Sequence, residues 1–403
     1  MAEMHPLLAR ARERARYSQD DVGAALGVSR AMVSYWEAGS RSPNDRQLAS
    51  LARLYGVELS DLLEGRDAEP VGIDLTGMLL RADNAVDPES APGLQEFVQF
   101  LERYAELSGL TKTPIRGMTQ SPYVYRSKFS QKDDARRKAE EVRAHLGLGA
   151  GPISDTDTVC EMLGITIYRA PLGGDLRKAP SGAFLNHPSV GFSILVNLDM
   201  TPGRRRFTVA REIAHALFHS AEERWVISHG RGPREDFADE FAGEFLMPSE
   251  GVRRFMEEAG MPPRITEDVD VIHIQRYFRV SFPTALVRLK QMNAITAATY
   301  HELRREVRPV ALARSLGYRI DLEEYQQDAE RWRIRRFPRA FLRMLRHAVV
   351  TEVMSPPSAA AFSGLSIADV VQILGQPLEG TDEPEGTEVE FAEYEDSGVV
   401  PRA

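Results

Sequence analysis

The sequence predicts a multidomain chain: an all-α N-terminal domain, a central α+β domain and a helical C-terminal region. Three observations predict it. At 403 residues, with 43% apolar and 27% charged side chains, the chain is long enough to bury two or three cores. Residues 4–64 are filled by short apolar stripes punctuated by Gly, Ser and Pro. Between residues 165 and 197, three runs of β-branched and aromatic residues interrupt amphipathic helical stretches.

Composition excludes several classes. A lone cysteine, Cys160, leaves no disulfide framework and no multi-cysteine zinc site. No apolar run is long enough for a membrane helix, and Met1–Arg16 carries no signal-peptide pattern, so a cytoplasmic protein with no membrane partner is expected. Of 59 acids, nine fall in Glu379–Asp396, which holds no Lys or Arg. The remainder is close to neutral, so overall acidity does not exclude a nucleic-acid partner.

Taken in order, Leu7, Leu8 and Ala11 begin the face of a first helix, and Ser18 caps a second through Leu26. Gly27 breaks the chain, and Ser29 caps a third helix over Arg30–Ala38, which Gly39 ends. A fourth helix follows Pro43 and ends near Tyr55, and a short fifth covers Leu59–Leu63. After a joint at Glu64–Pro70, six apolar positions from Leu94 to Ala105 mark an amphipathic helix, read as core or as a dimer interface. Thr111–Lys132 reads as a linker, and helices follow over Asp133–His145 and from Asp155 through Leu163. Strands are expected at Ile165–Arg169, Gly182–Asn186 and Phe192–Asn197, the last two as a hairpin. Helices then follow over Thr201–His219, Arg234–Met247, Ser249–Ala259, Asp268–Phe278 and Phe282–Met292. Within Arg331–Arg346, seven arginines interleave with Trp332, Phe337 and Phe341. This cluster reads as a solvated helix face, a dock for the acidic tail, or a nucleic-acid contact. Residues 379–403 are expected to be disordered.

The stretch Tyr17–Gly39 is a helix-turn-helix pattern. Val22, Ala25, Leu26, Val28, Met32, Val33 and Trp36 form one small core, and Gly27 permits the turn. The other face of the third helix offers Arg30, Ala31, Ser34 and Tyr35 to base edges in a major groove. Gln19 and Ser29 stand at helix N-termini and Arg41 just past the third helix, all suited to phosphate. This stretch resembles the XRE (Cro/repressor-like) family, which implies double-stranded operator DNA as partner and an ion pair between Arg12 and Glu37. Nine acids balance nine bases over residues 1–66, so a homodimer is expected to supply affinity.

A second motif, Arg211-Glu-Ile-Ala-His215, is a near miss to the zinc-binding H-E-x-x-H. With Arg206-Phe-Thr before it, Phe241-Ala…Leu-Met-Pro248 after it and Arg288-Leu beyond, it resembles the ImmA/IrrE family of metallopeptidase-like regulators. The resemblance implies a zincin-like fold, His215 and Glu235 as zinc ligands and Glu212 as general base. Position 211 departs from it: guanidinium has no lone pair to offer a metal. Three readings stay open. The site is dead as a peptidase and the domain serves as a sensor or partner-binding module. A shifted site uses His215 and His219 with Glu235 or Asp239. Or a weak zinc site works with help from a partner.

The expected organisation is a helix-turn-helix domain at 1–66, a helical connector and linker at 67–132 and a metallopeptidase-like domain at 133–295. A helical region at 296–378 and an acidic tail at 379–403 complete it. The expected function is a DNA-binding regulator of repressor or antitoxin type, with a cognate toxin or another regulatory protein as a candidate partner and either no cofactor or zinc. The competing function is a zinc endopeptidase.

Overall fold

The computed structural model describes residues 4–14, 18–26, 28–55, 62, 90–123, 131–173, 179–220, 225–227, 232–320 and 329–375. Tyr17, Gly27, most of the expected fifth helix at Leu59–Leu63, the joint at 64–70 and the acidic tail lie outside them.

The N-terminal unit is built from α1 (Met4–Arg14), α2 (Gln19–Leu26), α3 (Arg30–Glu37) and α4 (Asp45–Tyr55). Ser29 is extended and its side chain accepts a bond from Met32 N, satisfying one orphan amide of α3. Gly39 takes φ +74°, a left-handed conformation that suits glycine and ends the helix. The core joins Val22, Val33 and Trp36 to Leu8 of α1 and to Leu51 and Tyr55 of α4, while Leu26, Val28 and Met32 pack at its edge.

The central sheet has four strands: β1 (Thr166–Ala170), β2 (Gly182–His187), β3 (Gly191–Asn197) and β4 (Trp225–Ile227). Their order is β1-β3-β2-β4. β1 runs parallel to β3, with Thr166 opposite Ser193, and β2 is antiparallel to both β3 and β4. The β2–β3 hairpin is the one the sequence predicts. β4 was not expected, because three residues show no period.

The remaining helices are α5 (Ala91–Thr111), α6 (Gln131–His145), α7 (Thr156–Met162), α8 (Pro202–Ala214), α9 (Pro233–Leu246), α10 (Ser249–Glu258), α11 (Asp268–Phe278) and α12 (Phe282–Gln291). Then come α13 (Ala297–Glu306), α14 (Pro309–Ser315), α15 (Ala329–Arg335), α16 (Arg339–Val350), α17 (Pro356–Ser363) and α18 (Ile367–Gly375).

The sheet is covered on both faces, and the strand period of two sorts its residues between two cores. Ile167, Phe184, Ile194 and Val196 join the core that includes residues of α6, α8, α9, α11 and α12. Tyr168, Ala183, Leu185 and Leu195 join a second core with Leu94, Phe97, Phe100 and Leu101 of α5 and Phe341, Met344 and Leu345 of α16. Phe100 stacks on Tyr168 with centroids 4.4 Å apart.

The fold places two stretches whose surroundings the sequence leaves open. The apolar stripe of α5, read as a dimer interface or core, is buried against the chain's own sheet and C-terminal helices. The stretch read as a linker at 111–132 is anchored in its described part: Met118 N donates to Gly164 O and Phe192 N donates to Met118 O. Gly117 permits this approach, since a Cβ there would stand 1.9 Å from Val190 O. Helices α11 and α12, the second of them capped by Ser281, turn Ile272, Ile274, Phe278, Leu286 and Leu289 into the core.

The arginine cluster is not one uniform solvated face. Pro338 separates α15 from α16. Arg336 pairs with Glu96 at 2.8 Å and Arg339 with Asp155 at 2.6 Å, tying the C-terminal helices to α5 and to the start of α7.

Candidate functional site

Two sites are assembled. The first is the outer face of α3. Arg30, Ala31 and Tyr35 are exposed, Ser34 is half-buried beside them, and Tyr35 is 46% exposed although aromatic. Arg41 holds its guanidinium 5.8 Å above the Tyr35 ring. Arg30 lies 3.7 Å from Asp20, a pair so open to water that it restrains neither partner much.

The face is held by an ionic brace behind it. Arg12 grips Glu37 with two bonds, Nε to Oε1 at 2.6 Å and Nη2 to Oε2 at 3.2 Å. Gln19 Nε2 also donates to Glu37 Oε2 at 2.9 Å. Gln19, expected at a phosphate, therefore has one amide hydrogen engaged inside the domain. His5 Nδ1 meets Trp36 O at 2.9 Å, fixing α1 on the end of α3. The arrangement presents a rigid helix with polar and cationic tips, the geometry that reads a major groove.

The second site lies where α8 and α9 cross above the sheet. α8 begins with Pro at its first turn, where a missing N–H costs nothing. It packs closely on β2 at Gly182, where a Cβ would meet Leu195 O at 2.6 Å and Thr208 Cγ2 at 2.7 Å. Glu212 is fully buried in this contact, its Oε1 3.1 Å from the same point. Beyond Ala214 the helix widens into a π-turn over His215–His219. Such turns are rare and concentrate at functional sites. Here the turn brings His215 Nδ1 within 2.9 Å of His219 Nδ1, a bond in which one ring donates and the other accepts.

Arg211 stands one turn before His215 on the same face of α8. Its guanidinium contacts Glu235 of α9, and its Nε lies 3.0 Å from Asp239 Oδ1. Glu235 Oε2 also lies 3.6 Å from His215 Nε2. Below, α9 is fastened to α12 by the buried Arg288, which contacts Glu244 and donates through Nε to Met247 O at 3.0 Å.

The electrostatics follow from burial and partners. Burial opposes charge on Arg211, but Asp239 and Glu235 outweigh it and raise its pKa above the usual guanidinium value. Burial pushes Glu235 upward, yet His215 and Arg211 more than offset this and hold it below the usual carboxylate range. Burial, with His215 beside it, pulls His219 down to about 3, so His219 is neutral at pH 7.

This donor set does not fit a catalytic zinc. Such a site needs three ligands with free lone pairs and an open position for water. Here Glu235 is committed to a cation, a guanidinium with no lone pair replaces the first ligand, and the bond between the two Nδ1 atoms leaves only one of the two rings with a lone pair, at Nε2. Among the described residues, no group of three or more His, Cys, Asp or Glu is arranged to hold a metal. Sequence reasoning reached Arg211, Glu212, His215, His219, Glu235 and Asp239. It missed the π-turn, which no residue type announces.

Residues 8–62 match the family model described as helix-turn-helix, and residues 160–290 match the one described as IrrE N-terminal-like domain. No curated protein matches the chain. The fusion of an XRE-type helix-turn-helix domain with an ImmA/IrrE-like domain is thereby shown, and with it a DNA-binding protein carrying a peptidase-like domain. Among the described residues, no single helix is long and apolar enough to cross a membrane.

Proposed function

We propose that the protein is a sequence-specific transcriptional regulator, of repressor or antitoxin type, that reads operator DNA as a homodimer. Arg30, Ala31, Ser34 and Tyr35 meet base edges, while Ser29, Arg41 and the second amide hydrogen of Gln19 meet phosphate. The observation that carries this reading is the exposed outer face of α3, held by the Arg12–Glu37–Gln19 brace. The near balance of charge in residues 1–66 leaves each copy few phosphate contacts, which favours two half-sites.

The peptidase-like domain serves as a sensor or partner-holding module, its hydrolytic role lost. In place of a metal-polarised water, the Arg211–Glu235–His215 chain locks α8 to α9, so Glu212 has no activated water to deprotonate. A cognate toxin is one protein such a module would hold. The test is a gel shift of the full chain on DNA upstream of its own gene, with unrelated DNA as competitor. Specific retention lost in Arg30→Ala supports the reading. Equal binding to every sequence at low salt overturns it.

A further inference from the structure

Asp20 stands where an acid is unexpected. It is the second residue of α2 and directly follows Gln19, whose second amide hydrogen the proposed function sets against phosphate. In a helix-turn-helix, the first helix of the pair crosses the DNA backbone. A carboxylate there, 68% exposed, meets a polyanion.

The neighbour of that carboxylate gives it a purpose. Asp20 Oδ2 lies 3.7 Å from Arg30 Nη1. Arg30 is the first residue of α3, directly after the Ser29 cap, and the N-terminal residues of the second helix are the ones that reach base edges. Arg30 is 67% exposed, so in water the pair holds neither partner in place. Its effect lies in the complex, where docking expels that water and charges are screened less.

An arginine at this place has two receptors on a duplex. Phosphate oxygens are offered by every sequence, and O6 and N7 are offered together by guanine alone. Only the second carries sequence information. The carboxylate acts unequally on the two. With Arg30 on phosphate, Asp20 is carried beside another full negative charge. With Arg30 on guanine, Asp20 meets a base pair of no net charge, and the N4 amino group of the paired cytosine is a donor that a carboxylate accepts from.

We propose that Asp20 is a specificity-determining residue: beside Arg30, it weakens the phosphate contact that any sequence offers and leaves the guanine contact standing. It lowers affinity for all DNA, and lowers it most for unrelated DNA. The assignment rests on α3 being the base-reading helix.

The test uses the full chain as wild type, Asp20→Asn, Arg30→Ala and the double variant. The probes are a duplex selected by wild type from a randomised pool and a scrambled duplex of the same composition, titrated by anisotropy across a salt series. Asparagine keeps the size of aspartate at an exposed position, so the fold is retained. Asp20→Asn should bind the scrambled duplex about tenfold more tightly and the selected one less than about threefold more tightly. Its salt slope on scrambled DNA should steepen by up to about 0.9, the equivalent of one phosphate contact. In the Arg30→Ala background the same change should raise both affinities alike, because no guanidinium is left to redirect. An acid that only complements the N-terminal dipole of α2 would alter melting and leave the ratio of the two affinities unchanged, and that outcome would overturn the proposal. So would a ratio that falls equally with and without Arg30, the mark of a bare repulsive charge. A wild type that selects no duplex would overturn base reading by α3, and this assignment with it.

Discussion

Arg211 and Glu235, 24 residues apart on α8 and α9, are in direct contact, and the carboxylate also faces His215 at 3.6 Å. The guanidinium thus supplies the positive charge to a carboxylate that the family resemblance assigns to a metal. Both side chains are nearly buried, 14% and 13% exposed, so the pair is screened little by water.

Breaking the pair should be costly. Arg211→Ala leaves Glu235 without its cation in a closed site and should destabilise the chain by about 3 kcal/mol. The double variant Arg211→Met/Glu235→Leu removes both charges and should lose less than Arg211→Ala alone. Urea denaturation of both checks this. Equal losses would mean that the ion pair contributes nothing beyond packing.

Zinc should follow residue 211. Wild type is expected to hold well under one equivalent, and chelators should leave its melting unchanged. Arg211→His restores a ligand with a lone pair and frees Glu235, so zinc uptake should rise towards one equivalent. Elemental analysis of both proteins after dialysis decides it. One tight zinc in wild type would return the weight to a site on His215, His219 and Glu235 or Asp239.

Stability should fall on mild acidification through His219. Unfolded, this ring takes a proton below about pH 6.5, whereas folded it stays neutral down to about 3. A depressed folded value gives stability that is present above 6.5 and lost as pH falls, at roughly 1.4 kcal/mol per pH unit. Glu235, also depressed, adds a loss below about pH 4 as its carboxylate protonates. Denaturation curves from pH 7 to 4 should flatten in His219→Gln. An unchanged slope would show that the ring does not titrate as its burial requires.

DNA contacts should divide by role. Arg30→Ala should cost about 1–3 kcal/mol on the preferred site and relax specificity at one base pair. Arg41→Ala should weaken all sequences alike and reduce the salt slope by about 0.9. Anisotropy titrations on specific and scrambled duplexes across a salt series separate the two. Equal, sequence-independent losses from both would place Arg30 at phosphate as well.

The close approach at Gly182 should tolerate no side chain. Gly182→Ala puts a methyl 2.6 Å from Leu195 O and 2.7 Å from Thr208, forcing α8 off the sheet and costing about 1–3 kcal/mol. Because α8 carries Arg211, the loss should spread to the α8–α9 site, read as faster hydrogen exchange in residues 202–219. Wild-type stability and exchange would refute the stated packing.

Much of this protein was legible in one dimension. Ser29 as a cap, Gly39 as a stop and the apolar spacing around Trp36 encode α1 to α4 locally, since capping and helical period act over a few residues. The near-miss motif at 211–215 named its own defect, because a guanidinium cannot ligate a metal in any fold. What sequence could not decide was which surface each element covers. The apolar stripe of α5 announces burial but not its partner. The fold supplies Tyr168 and Leu195 from the sheet and Phe341 from far along the chain. The π-turn that joins His215 to His219, and the contact that sets Arg211 of α8 on Glu235 of α9, exist only once those elements are stacked. Hydrogen bonds and charges across such distances carry no local period, so tertiary structure alone sets them.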